Sequence, residues 1–226
     1  MAEQIVRAGR ILAFDTSAEA CSVALQNGDE IKLVHEIAPM QQAKRILPLI
    51  QSLLDAMSLT LADLDAVAYG CGPGSFTGIR IASSVAQGIA YAGNLPVIQV
   101  SSLAILAQSA FFEQNWRKLI IVTDARMGEV YYGAYEIGAE GLAAELIKDS
   151  LAKPEDVSVE GLRDAYGVGD AWRVYPDELM KSLGFKPIAV QAAQQPSAKA
   201  VLALAQEKYK RGEVVAAFDA IPVYLR

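Results

Sequence analysis

The chain carries one histidine and two cysteines among 226 residues. This scarcity removes several kinds of chemistry at once. His35 sits in an alternating apolar–polar stretch far from either cysteine and reads as structural rather than catalytic. Cys21 lies in an apolar run and Cys71 among glycines. Two separated cysteines build neither a disulfide framework nor a zinc site, and they read as reduced thiols of a cytosolic protein. No Gly-x-Ser-x-Gly nucleophile elbow occurs. An Asp/Glu site stays open, because the spatial proximity of acids is not written in their spacing. No stretch reaches the ~20 apolar residues of a membrane helix. Residues 1–10 carry charges in place of the apolar core of a signal peptide, so a cytoplasmic address is expected. Positive charge is in deficit, with 20 Lys and Arg against 26 Asp and Glu. A chain of net charge −6 repels a phosphate backbone, which argues against direct nucleic-acid binding.

What is present points to an α/β fold. Apolar residues make up 53% of the chain, enough for one large core or two small ones. Residues 11–15 predict a short strand ending on Asp15, and residues 21–25 a second. Asn27-Gly28 predicts a two-residue hairpin turn. Ile31, Leu33, His35 and Ile37 alternate with Lys32, Val34 and Glu36, a strand period. Ala43, Ile46, Leu47, Ile50, Leu53, Leu54 and Met57 recur at helical spacing. Pro48 interrupts them and predicts a kink or a late helix start. Residues 66–69 and 97–100 read as strands flanking a glycine run and a second helix. The order then repeats. Residues 119–124 predict a strand ending on Asp124, residues 129–135 and 143–148 two more, with a turn at 138–141. Helix and strand signals alternate through 170–183, 188–190 and 196–210. The repetition predicts two similar halves, residues 1–102 and 103–226, each a mixed sheet covered by helices. The last segment is expected to pack back on the first half.

Two motifs follow from this layout. Asp15, Thr16 and Asp124 end equivalent strands, so their loops are candidates for a nucleotide cleft; each acid also fits a turn cap. Residues 70–80, Gly-Cys-Gly-Pro-Gly-Ser-Phe-Thr-Gly-Ile-Arg, form neither a Walker loop nor a dinucleotide fingerprint. Ser75 can cap the helix that follows. That helix carries small residues four apart, Gly78, Ala82, Ala86 and Ala90, which allow close approach of another backbone. Its second apolar line meets either the preceding helix or another subunit. The candidate partner interface on the two helices is Ile46, Ile50, Leu53, Gly78, Ala82, Val85, Ala86 and Ile89.

Residues 11–25, 72–80 (Gly-Pro-Gly-Ser-Phe-Thr-Gly-Ile-Arg), 124–135 and 222–226 (Pro-Val-Tyr-Leu-Arg) together resemble the TsaB, or YeaZ, family over essentially the whole chain. The resemblance implies an actin-like, Hsp70-like ATPase fold of duplicated ribonuclease-H-like halves. It implies a noncatalytic part in the bacterial machinery that makes threonylcarbamoyladenosine in tRNA. The implied partners are TsaD, as a heterodimer, and the ATPase TsaE, with self-association as a homodimer when TsaD is absent. tRNA would be met only through the complex, no membrane is involved, and ATP with Mg²⁺ would belong to the complex rather than to this chain. TsaD carries a metal-binding His pair in a stretch that follows the strand equivalent to residues 97–100. Ser102 and Leu106 stand at those positions here, and leucine cannot ligate a metal. An alternative is an independent nucleotide-binding hydrolase using Asp15 and Asp124, or a peptidase-like enzyme of the same fold.

Overall fold

The computed structural model describes residues 9–225. The order of elements is β1 (Ile11–Asp15), β2 (Ala20–Asn27), β3 (Glu30–Ile37), α1 (Gln42–Ala56), β4 (Ala66–Gly72), α2 (Phe76–Gly93), β5 (Val97–Ser101) and α3 (Ser102–Gln114). The chain continues with β6 (Lys118–Arg126), β7 (Glu129–Ile137), β8 (Ala143–Ala152), β9 (Tyr166–Val168), α4 (Ala171–Val174), α5 (Pro176–Leu183), β10 (Val190–Gln191) and α6 (Ala198–Lys210).

Two five-stranded sheets result, ordered β3-β2-β1-β4-β5 and β8-β7-β6-β9-β10. In each, three strands run antiparallel as a meander, and the first of them pairs in parallel with a fourth strand, which pairs in parallel with a fifth. The two topologies are the same, so the duplication read from the acid-ended strands is a property of the fold. This is the actin-like, Hsp70-like arrangement of ribonuclease-H-like halves.

Period-2 alternation sorts the first sheet's side chains to two faces. Leu12, Phe14, Cys21, Val23, Leu25, Val67 and Tyr69 meet α1 and α2 on one face. Ile11, Ala13, Ala24, Ala66, Ala68, Ile98 and Val100 meet α6 on the other. The second face is rich in alanine, as is α6 itself at Ala198, Ala200 and Ala205, and small side chains on both partners let helix and sheet approach closely. Helix α6, the last long element, therefore covers β1, β2, β4 and β5. Helix α3 lies between the sheets. Its Ile105 joins the first sheet's core, while Leu103, Leu106, Ala107 and Ala110 join that of the second. A helix with apolar residues all round is what this placement requires.

Two local expectations are corrected. The hairpin loop is Gly28-Asp29, closed by the pair Asn27 and Glu30, because Gly28 takes the positive φ of 61° that the first loop position demands. Helix α1 begins at Gln42, well before Pro48, and runs through it. Pro48 and Lys44 both lie on the exposed side, where solvent can serve the Lys44 carbonyl that the proline leaves without a donor. Among the described residues no helix is long and apolar enough to cross a membrane.

Candidate functional site

In open α/β sheets, ligands bind beyond the carboxyl ends of the parallel strands. Here those ends are Asp15 of β1, residues 70–72 of β4 and Ser101 of β5. Asp15 is completely buried. Its Oδ1 accepts from the Ser17 amide at 2.8 Å and the Ser17 hydroxyl at 2.8 Å. Its Oδ2 has no hydrogen-bond partner. That oxygen presses on the β4 backbone so closely that a Cβ at Gly70 would sit 1.8 Å from it. Burial raises the carboxyl to about 6, with the two Ser17 bonds opposing the shift.

The glycine run answers this loop contact for contact. Thr16 Oγ1 donates to the Gly78 carbonyl at 2.8 Å, and the Ser75 amide donates to the Ser17 carbonyl at 2.9 Å. A Cβ at Gly78 would lie 2.0 Å from the Thr16 carbonyl oxygen, so only glycine lets α2 start here. Ser75 caps α2 by accepting from the Gly78 amide. On its other side the run holds the chain's last residues. The Val223 amide donates to the Cys71 carbonyl at 2.8 Å. Arg80 Nε donates to the Tyr224 hydroxyl at 2.7 Å, while its guanidinium lies 3.7 Å above the Phe76 ring. Arg226 lies outside the described residues.

The equivalent loop of the second sheet closes on itself. Asp124 accepts from the Arg126 amide at 2.9 Å and the Arg126 guanidinium at 3.0 Å. Its own amide donates to Asp170 at 2.9 Å. Arg126, Met127 and Gly128 all take positive φ, a tight turn that points Met127 into solvent. Among the described residues no hydrogen bond or ion pair joins Asp15 to Asp124.

A family model described as "TsaD: tRNA N6-adenosine threonylcarbamoyltransferase" matches residues 33–226. The "tRNA threonylcarbamoyladenosine biosynthesis protein TsaB" of Escherichia coli is 39% identical over 221 residues, covering 96% of this chain and 94% of that one. Its namesake in Haemophilus influenzae is 38% identical over 224 residues, covering 96% and 93%. The solved structure "YeaZ from Pseudomonas aeruginosa" superposes with a TM-score of 0.89 at 41% identity, covering 96% of this chain and all of that one. The chain belongs to the TsaB family.

Three of the four segments that carry the TsaB resemblance meet in space, while the loop at Asp124 stays with its own sheet. The loop of Thr16-Ser17, the glycine run and the C-terminal Pro-Val-Tyr form one packed knot through the contacts above. Ser102 and Leu106 are both buried at the start of α3, and Ser102 Oγ accepts from the Gly72 amide at 3.2 Å. Among the described residues no three His, Cys, Asp or Glu side chains gather as a metal-binding group. A nucleotide with Mg²⁺ needs Asp15 and Thr16 to face an open cleft. Asp15 is sealed by Gly70, and the Thr16 hydroxyl is committed to α2, so these residues as arranged do not fit that group.

One polar cluster escaped the sequence reading. Ser101 ends the first sheet; Tyr135 and Asp149 come from β7 and β8 of the second. Asp149 accepts short hydrogen bonds from both hydroxyls. Ser101 Oγ also accepts from the Leu103 and Ala104 amides, capping α3 at 3.1 and 3.3 Å. Burial raises the carboxyl of Asp149 despite its two donors, and burial beside that carboxylate raises the phenol of Tyr135. Nothing in the local sequence singles out an aspartate in the middle of a strand, because the pairing exists only once the halves meet.

The helix residues expected to face a partner face inward instead. Ile46, Ile50, Leu53, Ala82, Ala86 and Ile89 belong to the core under the first sheet, with Val85 half-buried against it and Gly78 against Thr16. The small-residue stripe of α2 serves its contact with β4, because a sheet surface is the backbone it approaches. The outward faces carry Leu47, 55% exposed, and Tyr91, 70% exposed.

Proposed function

We propose that this chain is a noncatalytic subunit of the assembly that makes threonylcarbamoyladenosine in tRNA, where it binds and activates a TsaD transferase. The observation that carries the reading is the state of the cleft: its strand-end carboxylate is buried, the Thr16 hydroxyl is spent on the Gly78 carbonyl of α2, and the Cys71 carbonyl is taken by the C-terminal Val223 amide. A subunit that does no chemistry keeps the fold and gives up the site. The partner surface is the outward side of α1 and α2, with Leu47 midway along α1, the Phe76–Arg80–Tyr224 stack at the start of α2 and Tyr91 in its last turn. Aromatic and arginine side chains of this kind dominate interface energetics. TsaE would join that pair, tRNA would reach the chain only through the complex, and the same helices would pair two copies when TsaD is absent. The work is expected to take place in the cytoplasm.

Reconstituting tRNA modification from purified components tests the proposal. Activity should depend on this chain and fall in the Leu47→Asp, Tyr91→Asp double variant, which stays folded because both positions are exposed. Undiminished activity without the chain would overturn it.

The orphaned Oδ2 of Asp15 favours a second reading, a nucleotide hydrolase that opens to bind. Calorimetry of the lone chain with ATP and Mg²⁺ decides between them. Tight binding that Asp15→Ala abolishes would support the hydrolase.

A further inference from the structure

Strand β3 is the outer strand of the first sheet. Its pairing with β2 runs from Asn27 with Glu30 to Ala20 with Ile37. The two-residue loop makes Asn27 and Glu30 a hydrogen-bonded pair, so the even residues of β3 turn their amides and carbonyls toward β2. The odd residues, Ile31, Leu33, His35 and Ile37, turn theirs to the open edge. Among the described residues none of these four amides or carbonyls has a backbone partner. The same residues place their side chains on the α6 face of the sheet, at its margin, where the helix leaves most of them uncovered. Ile31, Leu33 and Ile37 are 45%, 42% and 60% exposed. An eight-residue edge with apolar side chains is a template for strand pairing. Lysine, glutamate, proline or a bulge usually blunts such an edge, but here Lys32 and Glu36 lie on the opposite face, where Glu36 is held by Arg45 of α1 at 2.8 and 2.9 Å.

We infer that β3 pairs with β3 of a second copy, antiparallel about a two-fold axis through Val34, to join two sheets into one of ten strands. The register follows from charge and from hydrogen-bonding parity. Two-fold symmetry keeps facing residues on one side of the sheet, so it must pass through a residue. An axis through Leu33 would set Glu30 against Glu36 of the other copy. An axis through Val34 sets Lys32 against Glu36 twice and Ile31 against Ile37 twice. It also sets Leu33 against His35 twice, with Val34 facing itself. All four outward-facing residues then become hydrogen-bonded pairs, and the exposed isoleucines and leucines cover one another. Opposite charges and apolar side chains directly across a ladder both stabilise it. This surface is separate from the α1 and α2 faces assigned to the transferase, so both contacts can exist in one assembly.

Cysteine crosslinking reads the register directly. Cys21 and Cys71 are buried, so they do not contribute under mild oxidation. In the full chain, Val34→Cys should form an intermolecular disulfide, because facing residues of a non-hydrogen-bonded pair lie about 4.5 Å apart at Cα. Leu33→Cys should not, since its two copies stand offset by about two residues, beyond the ~7 Å limit for a bridge. Sedimentation over a concentration series supplies the second arm, run in the Leu47→Asp, Tyr91→Asp background so that pairing through α1 and α2 does not contribute. Lys32→Glu should weaken self-association by roughly tenfold or more, and adding Glu36→Lys should restore it. Leu33→Pro removes an outward amide that the fold does not use and should abolish the dimer without lowering the melting temperature appreciably. The Leu47→Asp, Tyr91→Asp variant should still dimerise through β3. Equal crosslinking at both positions, crosslinking at position 33 alone, or a chain that is monomeric at every concentration overturns the inference. So does a dimer indifferent to Leu33→Pro, and failure of these arms leaves the transferase surface unaffected.

Discussion

Asp15 shows how a residue legible in the sequence changes its meaning when folded. As the last residue of an apolar strand it suggested a phosphate loop, yet its carboxyl is buried with one oxygen unpartnered. Its folded pKa, about 6, lies above the ordinary carboxylate value of 3.8. The folded state therefore holds a proton that the unfolded chain has released between about pH 4 and 6. Stability tied to this group is present below that window and is lost as the pH rises through it, by ~3 kcal/mol at most. Asp15→Asn keeps an acceptor for Ser17 and cannot ionise. Urea titrations should find the variant more stable than wild type at pH 7.5, with the gap closing below pH 5. A gap that does not change with pH would show that ionisation is not what strains the site. Glycine has equally local consequences. Gly78→Ala forces a Cβ against the Thr16 carbonyl, whereas a Cβ at Gly88 meets nothing within 4 Å. Thermal melts should place Gly78→Ala below wild type by roughly 1–3 kcal/mol. Gly88→Ala, in the exposed middle of α2, should lie above it by about 0.5–1 kcal/mol.

At the scale of elements, the helices and most strands followed from periodicity, because a half-buried helix or strand must repeat its apolar residues at 3.6 or 2. Which apolar line met which surface did not follow. The stripe of Gly78, Ala82, Ala86 and Ala90 fits a sheet, a helix or another subunit equally well, and the sheet won since β4 lies directly beneath α2. Strand β3 gave the reverse result. Its alternation of apolar and polar residues suggested one buried face, yet the apolar face is the more exposed one. Val34 alone of its buried-side residues is apolar, packing with the α1 side, while Ile31, Leu33 and Ile37 stay exposed at the margin of the face that α6 covers.

For the whole molecule, the contact between the halves matters most. Helix α3 and α6 cross from one half to the other, and Ser101, Tyr135 and Asp149 form a polar clamp where the two sheets meet. Removing one donor from a buried carboxylate leaves it short of partners, at a cost of about 1–3 kcal/mol. Tyr135→Phe should therefore lower the melting temperature by roughly 2–10 °C for a chain this size. It should also speed amide exchange at the β5–α3 junction more than in β1 or β4. Uniform exchange across the molecule would mean that the clamp does not tie the halves together.

The sequence alone determined the class of fold, its duplication, the start of α2 at a glycine-rich turn and the family to which the chain belongs. Each of these is encoded locally, in periodicity, turn chemistry or a short motif. Only the tertiary structure decided that Asp15 is sealed, that the C-terminal Pro-Val-Tyr is pinned to the glycine run, that the Ser101–Asp149–Tyr135 clamp exists and that β3 is left open. Those outcomes depend on which surfaces meet between segments distant in the chain, 48 residues apart for Ser101 and Asp149 and 144 for Arg80 and Tyr224, and burial and pairing are properties of the meeting rather than of either segment.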